Sequence, residues 1–443
     1  MTIPELPIDL VEEILCFVPA TSLKRLRLNC KRWNRLINDD KILASKNFDK
    51  AAKQFEILML TEDYRICPLR VNPHGSVEVK SELRLVDPHS KYSAEFDVEG
   101  VIHCDGLLLC THEEEYRIVV WNPLTGETKG INIHKRGCFY SLGYSKEDNK
   151  SCNKSYKILS CHSYSNVFEI YEFKYNSWRV LNDINAQGGW ELRDTLISVS
   201  LKGNIYMFAD DKTETPSSLS LLKFDFSTEK FLLVPLPYKG DFKAASICSV
   251  REEKLSVLLR LHENCKTEIW VTNKIDETTT VLSWSKVLAL DLSVDHQISN
   301  YGSFLLDEEK KVVMCCNRWI DEIGEVDVVF DNYKCKDVVY IVGEDNKATI
   351  VDCRLDTSNQ CWSTILDYVP SLVQIEQPSG KRKRALQSTG NLETFVDLTK
   401  KLGSIRAEMK ILDPMKTEIR YMSLLKKAKQ NLLDRLLELV DYI

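Results

Sequence analysis

Residues 6–37 decide how the N-terminal part of this chain folds, and they read LPIDLVEEILCFVPATSLKRLRLNCKRWNRLI. Apolar residues recur every three or four positions here, which is the period of amphipathic helices. Proline cannot continue a helix interior, so the first helix is predicted to end before Pro19. Thr21 or Ser22 is expected to cap a second helix, and a third follows. The apolar positions of the three predicted helices are Leu10, Ile14, Leu15, Leu23, Leu26, Cys30, Trp33, Leu36 and Ile37.

A helical unit of this size encloses little apolar surface and is only marginally stable on its own. An exposed apolar face on so small a unit usually marks the binding site of a partner. The order of the residues is more informative than their helicity, because L-P-x-D-L is followed in turn by E-I-L, V-P, S-L, L-R and C-K-x-W-x-x-L-I. An ordinary helical cap on a larger fold is the alternative interpretation.

This ordered set of residues resembles the F-box motif over nearly its whole length, with Val18 and Asn29 as departures. The resemblance implies docking on a Skp-type adaptor, which hangs from a cullin scaffold that carries a RING subunit. Truncation of Trp33 or Leu10 is expected to cost the most binding, since large buried anchors dominate such interfaces. The positions that match the core and adaptor face of the motif are Leu6, Pro7, Leu10, Ile14, Leu15, Val18, Pro19, Leu23, Leu26, Cys30, Trp33, Leu36 and Ile37.

Composition and charge are those of a globular protein with two or three domains. The chain has 443 residues, of which 44% are hydrophobic and 28% charged. A net charge of −6 gives no overall bias toward nucleic acid. We expect no membrane association, because no apolar run reaches the roughly 20 residues of a membrane helix. No secretory signal is recognisable, so the expected location is the nucleus, the cytoplasm or both.

The fifteen cysteines are scattered over apolar patterns and form no C-x-x-C pair. In a chain without an export signal this predicts reduced thiols in the core, and the vicinal Cys315-Cys316 is interpreted in the same way. His103-Cys104-Asp105 invites comparison with a Cys/His nucleophile. Neighbouring strand residues point to opposite faces, however, so a strand end followed by a turn is expected instead.

From Glu56 onward, short runs of Val, Ile, Leu, Tyr and Phe alternate with Gly, Asn, Asp and Ser, which predicts strands joined by turns. A weak internal repeat runs through this region, in which a strand ending in an aromatic residue enters a tight turn and a second strand. Copies about 50 residues apart predict blades of four strands, as in kelch-type β-propellers, whereas a pair of β-sandwiches is the alternative. The copies lie at 120–127, 173–181, 224–231 and 269–287.

Several motifs of this β-rich region resemble the plant F-box-associated domain, a kelch-like interaction domain. They include HCDGLLLC at 103–110, VVWNP at 119–123, SVSLKGN at 198–204 and YVPSL at 368–372. The two resemblances together cover residues 1 to 375 and imply that the β-domain binds a target protein for ubiquitination. Fold-level analogy does not identify that target.

The remainder of the chain changes character. Lys381, Arg382, Lys383 and Arg384 are consecutive cations, and both a nuclear-import signal and a solvated linker remain open interpretations. A helical period with a long apolar stripe then predicts a helical hairpin or coiled coil over 391–443. Self-association, packing onto the β-domain and binding of another helix are all compatible with that stripe.

These patterns predict a mixed, mainly β protein. Its expected parts are an F-box at 1–48, a β-propeller-like domain at 49–375, a basic linker at 376–390 and a helical tail at 391–443. The expected function is that of a non-catalytic substrate-recognition subunit of an SCF (Skp–cullin–F-box) ubiquitin ligase, with an unidentified target protein and no cofactor or metal. The alternative is a glycan- or small-ligand-binding propeller module without a ubiquitin role. An enzyme is disfavoured because the Walker, G-x-S-x-G, H-E-x-x-H and zinc-ligand patterns are missing from the sequence.

Overall fold

The computed structural model describes residues 8–29, 34, 41–61, 63–71, 77–86, 95–112, 116–134, 138–146, 154–162, 167–181, 189–193, 198–213, 218–240, 242–261, 266–276, 282–290, 303–320, 335–352 and 363–375. The predicted basic linker and helical tail lie outside these residues. Contacts divide the described residues into two compact units. The helical unit comprises 8–54 and 370–374, and the propeller unit comprises 55–369 and 375, with the gaps given above.

The described part of the helical unit contains helices α1 Ile8–Leu15, α2 Ala20–Asn29 and α3 Lys41–Lys50. Helix α1 ends before Pro19, as predicted. The expected capping of α2 by Thr21 or Ser22 is wrong, because both residues lie inside the first turn of the helix. The carbonyl of Pro19 instead accepts the first helical hydrogen bond, from the amide of Leu23 at 3.0 Å.

A small apolar core fills the helical unit, in which α1 contacts α3. Burial of such side chains is the main favourable term in folding. Its buried apolar members are Ile14, Leu15, Cys16, Val18, Ala20, Leu23, Leu26, Leu43, Ala44 and Phe48.

The described part of the propeller unit consists of β-strands. In chain order they are β1 Glu56–Leu60, β2 Ile66–Val71, β3 Val77–Val79, β4 Gly100–Cys104, β5 Leu107–Thr111, β6 Arg117–Asn122, β7 Glu127–Asn132, β8 Cys138–Lys146, β9 Lys154–His162, β10 Phe168–Glu172, β11 Ser177–Val180, β12 Trp190–Leu192, β13 Ser198–Leu201, β14 Asn204–Asp211, β15 Ser218–Asp225, β16 Lys230–Val234, β17 Phe242–Val250, β18 Lys254–Leu261, β19 Thr267–Thr272, β20 Trp284–Leu290, β21 Phe304–Asp307, β22 Val312–Ile320, β23 Cys335–Gly343, β24 Ala348–Asp352 and β25 Thr364–Tyr368.

The strands form six antiparallel sheets, numbered here as blades 1 to 6. Blade 1 has the order β25-β1-β2-β3, and blades 2 and 3 are β4 to β7 and β8 to β11. Blade 4 is β12-β14-β15-β16 with β13 also paired to β14, and blades 5 and 6 are β17 to β20 and β21 to β24. The inner strands β4, β8, β13, β17, β21 and β25 contact one another in a closed ring. The propeller prediction is therefore confirmed, and the β-sandwich alternative is wrong.

Blade 1 is assembled from the two ends of the propeller sequence. Strand β25 pairs antiparallel with β1, and Leu366 lies opposite Leu58. The innermost strand of the blade thus comes from the end of the domain and the other three strands from its start. Closing the ring in this way pairs the inner edge of β1, which would otherwise be exposed.

The internal repeat of the sequence corresponds to one hairpin in each of blades 2 to 5, between the third and fourth strands. In blade 2 the Asn122 carboxamide oxygen accepts hydrogen bonds from the amides two and three residues on, at 2.9 and 3.2 Å. Asp225 makes the same pair of bonds in blade 4, at 2.7 and 3.4 Å. Short acidic and amide side chains stabilise turns in this way, which explains why the repeat is visible in the sequence.

Apolar side chains fill the space between adjacent blades. Leu258 and Ile269 of blade 5 cluster with Phe304 and Val313 of blade 6. The intervening residues of the same strand, such as Val257, pack toward blade 4 instead. The cysteines whose side chains the structure describes are free, and all except Cys138 are buried. For the eight buried cysteines among these nine, this agrees with the expectation of reduced core thiols.

Candidate functional site

The side-chain amide of Asn47, on α3, fixes the chain where α1 ends. Its nitrogen donates to the carbonyl oxygens of Leu15 at 3.0 Å, Cys16 at 3.3 Å and Val18 at 2.7 Å. The last carbonyls of a helix have no partner within the helix, so these bonds satisfy them from a second helix. Asn47 is itself buried. It therefore ties α1 to α3 and sets the position of the turn between α1 and α2.

The structure sorts the predicted adaptor-binding positions into three groups. Buried positions, which contribute to the core, are Ile14, Leu15, Val18, Leu23 and Leu26. Pro19 is half-buried. Leu10 lies in α1, and its side chain is not among those that the structure describes. The positions outside the described residues are Leu6, Pro7, Cys30, Trp33, Leu36 and Ile37.

Phe17 is a large apolar residue that the helical unit exposes, at 43% of its surface. It lies between buried Cys16 and Val18, so the core holds its backbone in place. The Lys50 ammonium group lies 5.7 Å from the centre of its ring. An exposed aromatic ring on a fixed turn is a suitable contact for a protein partner.

The propeller unit has two sides that differ in their connections. The turn face carries the turns between first and second strands, at 105–106, 202–203, 251–253 and 308–311. The loop face carries the ends of the second strands and the starts of the third strands, such as Thr111 and Arg117 in blade 2 and Leu261 and Thr267 in blade 5. On the turn face, Gly203 has a φ of +81°, and a Cβ atom there would lie 2.7 Å from the carbonyl oxygen of Tyr144. The close approach of blades 3 and 4 thus requires glycine at this position.

A buried ion pair on the turn face joins blades 2 and 3. Lys154 Nζ lies 2.8 Å from Asp105 Oδ2, and the two side chains are 5% and 10% exposed. The Tyr156 hydroxyl donates to the same carboxylate oxygen at 3.0 Å. Burial, followed by the charge of Asp105, raises the pKa of Tyr156 well above its ordinary value, so the hydroxyl remains a donor. The Lys154 ammonium also lies 4.8 Å from the centre of the Tyr144 ring.

Further acidic side chains gather near the ring centre on this face. His103 Nε2 lies 3.9 Å from Glu252 Oε1, but it also accepts a hydrogen bond from the Gly106 amide at 2.9 Å. A nitrogen that accepts carries no proton, so the contact with Glu252 is not an ion pair. Burial, together with the charges of Glu252 and Asp307, raises the pKa of Asp367 to about 7. Asp367 is therefore partly protonated at neutral pH.

Partly buried ion pairs also connect neighbouring blades. Glu229 of blade 4 accepts hydrogen bonds from Arg179 and, at 3.2 Å, from Lys157, both in blade 3. Burial would raise the pKa of Glu229, but these two hydrogen bonds outweigh it, and the pKa is lowered. The acidic run 307–309 begins at the last residue of β21 and continues into the turn before β22, where Glu308 pairs with Lys254 at 2.7 Å.

Two known protein families match this chain, one over the helical unit and one over the propeller unit. The model of the F-box domain matches residues 3–45, and the model of the F-box associated beta propeller domain matches residues 56–375. The chain is an F-box protein.

Curated relatives agree with this membership. The F-box protein ETP2 of Arabidopsis thaliana is 55% identical over 86% of this chain and 98% of its own length. The F-box/kelch-repeat protein At3g44120 of the same plant is 51% identical over 87% of this chain and 100% of its length, and the F-box protein ETP1 is 48% identical over 87% and 99%. Among solved structures, a luciferin-regenerating enzyme aligns with a TM-score of 0.35 at 11% identity over 64% of this chain and 87% of that chain, which is too low to support an argument.

Cys104 and Cys315 of this F-box protein are not activated nucleophiles. His103-Cys104-Asp105 is a strand end followed by a turn, as predicted, since β4 ends at Cys104. Burial, followed by the charge of Asp105, raises the pKa of Cys104 well above its ordinary value, and burial raises that of Cys315 to about 12. Both therefore remain protonated and unreactive at neutral pH. No three His, Cys, Asp or Glu side chains among the described residues are arranged to hold a metal ion.

Three tryptophans use their indole N–H groups within the fold. Trp178 donates to the Asn132 carbonyl at 3.0 Å and Trp284 to the Pro235 carbonyl at 3.1 Å. Trp270 donates to its neighbour Glu268 at 3.1 Å. These groups are committed to internal bonds, so the glycan-binding alternative gains no support from them. None of the helices in the described ranges is both long and apolar enough to cross a membrane.

Sequence reasoning missed several of these features. Asn47 has no local signal, because a lone helical asparagine is usually solvated. Phe17 follows α1 at a position that is not one of the matched F-box positions. A large apolar residue there was the available signal. The pairing of Asp105 with Lys154 spans 49 residues and depends on the order of the blades.

Proposed function

We propose that this F-box protein is the substrate-recognition subunit of an SCF ubiquitin ligase. F-box proteins are generally substrate adaptors of such complexes. The helical unit docks on a Skp-type adaptor and through it on a cullin and a RING subunit. The propeller unit holds a target protein for ubiquitin transfer. The observation that carries the proposal is the presence, in one chain, of an F-box and an F-box associated propeller as separate compact units.

The proposed adaptor contact combines motif positions with the exposed surface of the helical unit. Trp33 and Leu10 are the motif positions proposed to lose the most binding on truncation. Phe17 is added because it is exposed beside the core residues Cys16 and Val18. Buried motif positions act indirectly, by supporting this surface.

The cations at 381–384 are proposed to direct nuclear import, and the segment 391–443 to mediate self-association. Both segments lie beyond the two family matches. Replacing the four cations by alanine and following a fluorescent fusion tests the first proposal. Unchanged nuclear accumulation would exclude the run as an import signal.

Co-purification with a Skp-type adaptor and a cullin tests the main proposal. The wild-type chain is expected to retain both partners, and Leu10→Ala/Trp33→Ala to lose both. Phe17→Ala is expected to weaken adaptor binding without changing the unfolding midpoint, because its side chain is largely exposed. Leu232→Ala, at a 56% exposed apolar position on the propeller, is the matched control and should bind normally.

A wild-type chain that folds but retains no adaptor would overturn the proposal. In that case the propeller would have to be treated as a binding module in its own right. Equal loss of binding in Phe17→Ala and Leu232→Ala would remove Phe17 from the proposed contact.

A further inference from the structure

Arg260, near the end of β18, is a buried cation whose Nε atom has no hydrogen-bond partner among the residues that the structure describes. The residue is only 4% exposed. No acidic side chain in the part of the chain that the structure describes forms an ion pair with it. It therefore differs from the buried side chain of Lys154, which has both a carboxylate and an aromatic ring beside it.

Two hydroxyl groups on the same sheet face are also unpartnered. Thr267 lies directly opposite Arg260 in the β18–β19 pair. Ser246 lies opposite Leu258, two residues before Arg260, in the β17–β18 pair. Thr267 Oγ1 and Ser246 Oγ are buried and have no hydrogen-bond partner. Directly opposite residues have Cβ atoms about 5 Å apart and diagonal ones about 7–8 Å, so Thr267 and Ser246 each neighbour Arg260, on either side of it, on one face of the sheet.

This surface belongs to the interface between blades 5 and 6. The pair Leu258 and Ile269 lies two residues along the strands from the pair Arg260 and Thr267, on the same face of the sheet. Leu258 and Ile269 pack against blade 6. Arg260 and Thr267 lie on either side of the connection 262–265, at the loop-face ends of their strands. The three polar groups therefore lie at the loop-face end of an otherwise apolar interface.

An unpaired buried charge is strongly destabilising, and buried hydroxyl groups are nearly always hydrogen-bonded. A guanidinium group offers a planar set of donors that matches the oxygens of carboxylates and phosphates. The two hydroxyls provide further donors beside it. We propose that Arg260, Thr267 and Ser246 form a binding site for an oxyanion, the carboxylate or phosphate group of a bound molecule. The site is separate from the helical unit and does not depend on adaptor binding.

Thermal unfolding of the full chain in chloride and in phosphate at equal ionic strength tests the site. Phosphate should raise the Tm of the wild type, because a ligand that binds only the folded state stabilises it. In chloride, Arg260→Met should have a higher Tm than the wild type, because the substitution removes an uncompensated buried charge. Its additional response to phosphate should disappear. The general stabilisation by phosphate acts on both chains and cancels in the comparison.

Two further variants define the specificity of the effect. Lys243→Met removes the same charge from an exposed position of β17 and should keep the full response to phosphate. Thr267→Val should weaken phosphate binding by about fivefold, the equivalent of one hydrogen bond. It should not lower the Tm in chloride, since the hydroxyl has no partner to lose.

Acetate in place of phosphate distinguishes the two sources of oxyanion. The anion that produces the Arg260-dependent rise in Tm identifies the group as a phosphate or a carboxylate. Equal responses of the wild type and Arg260→Met to both anions would overturn the site, as would a lower Tm of Arg260→Met in chloride. Either failure leaves the adaptor proposal unaffected, because co-purification measures adaptor binding separately.

Discussion

Lys154 on the turn face and Arg260 toward the loop face are both almost inaccessible to water, but only Lys154 is paired. Lys154 contacts Asp105 and the Tyr144 ring, whereas Arg260 lies beside hydroxyl groups that are themselves unpartnered. Burial alone therefore does not say what a charged residue contributes. A paired cation fixes two blades against each other, and an unpaired one reduces stability and remains available to a ligand.

The strongest challenge to this comparison is Lys154→Met. It leaves the Asp105 carboxylate buried without its counter-charge, and the free energy of unfolding should fall by about 3–5 kcal/mol. Urea unfolding with an unchanged m-value measures the loss. The opposite sign is expected for Arg260→Met in chloride.

The control for this prediction is Lys254→Met, which breaks a more exposed ion pair with Glu308 on the same face. Its cost should stay below about 1 kcal/mol. A cost for Lys154→Met no larger than that of the control would show that the buried pair does not stabilise the blade contact.

A neutral buried group should follow the same rule of pairing. Asn47→Ala removes the donor shared by three carbonyl oxygens, and the free energy of unfolding should fall by about 1–3 kcal/mol. Lys24→Ala, at an exposed position of α2, should change it by less than about 0.5 kcal/mol. Chemical unfolding followed by circular dichroism compares the two, and an effect of Asn47→Ala as small as that of the control would contradict the proposed tie between α1 and α3.

Asp367 extends the comparison to a carboxyl group whose ionised form is disfavoured by burial and by nearby acidic charges. Its folded pKa is about 7, whereas an unfolded aspartate has a pKa of about 3.9. The wild type therefore loses stability as the pH rises from about 4 to about 7, and the loss is complete above pH 7. Asp367→Asn avoids this loss and should gain on the order of 1 kcal/mol at pH 8, after allowance for partial exposure, and nothing at pH 4.

The measurement is the Tm of both chains across this pH range. Their difference should grow up to about pH 7 and then level off. Parallel curves would show that Asp367 titrates alike in the folded and unfolded states.

The smallest change in the free energy of unfolding is expected at the partly buried contact of Glu229 with Arg179 and Lys157, between blades 3 and 4. The folded pKa of Glu229 is lowered, so its stabilising contribution is present above the unfolded pKa of about 4.3 and is lost as the pH falls through the folded value. Glu229→Gln should cost less than about 1 kcal/mol at pH 7. In urea titrations the difference from the wild type should shrink as the pH falls below the unfolded pKa of about 4.3, and a difference that stays constant would assign the effect to packing instead.

Local sequence patterns predicted the parts of this fold that depend on local interactions. Helix α1 ends before Pro19 because proline lacks the amide that a helix interior needs. The blade repeat is visible because of turns such as the one at Asn122. A strand such as β5, with the sequence LLLCT, is an almost continuous apolar run and is readily recognised.

The remaining features depend on residues that are distant in sequence. The pairing of β25 with β1 joins residues about 310 positions apart, and no local pattern at 364–368 specifies it. The burial of Arg260, whose Nε atom has no hydrogen-bond partner, depends on how blade 5 packs against blade 6. Sequence patterns indicate which face of a strand is apolar, but they do not indicate which side chains of the adjacent blade contact that face.

The closure of blade 1 by β25 also constrains the order of events during synthesis. A ribosome must translate through Tyr368 before the first three strands of the domain can acquire their fourth. Until then β1 presents an unpaired edge, which is a template for pairing with other chains. Messages truncated before codon 364 should therefore yield polypeptides that associate with chaperones or aggregate, even though five complete blades have already been made.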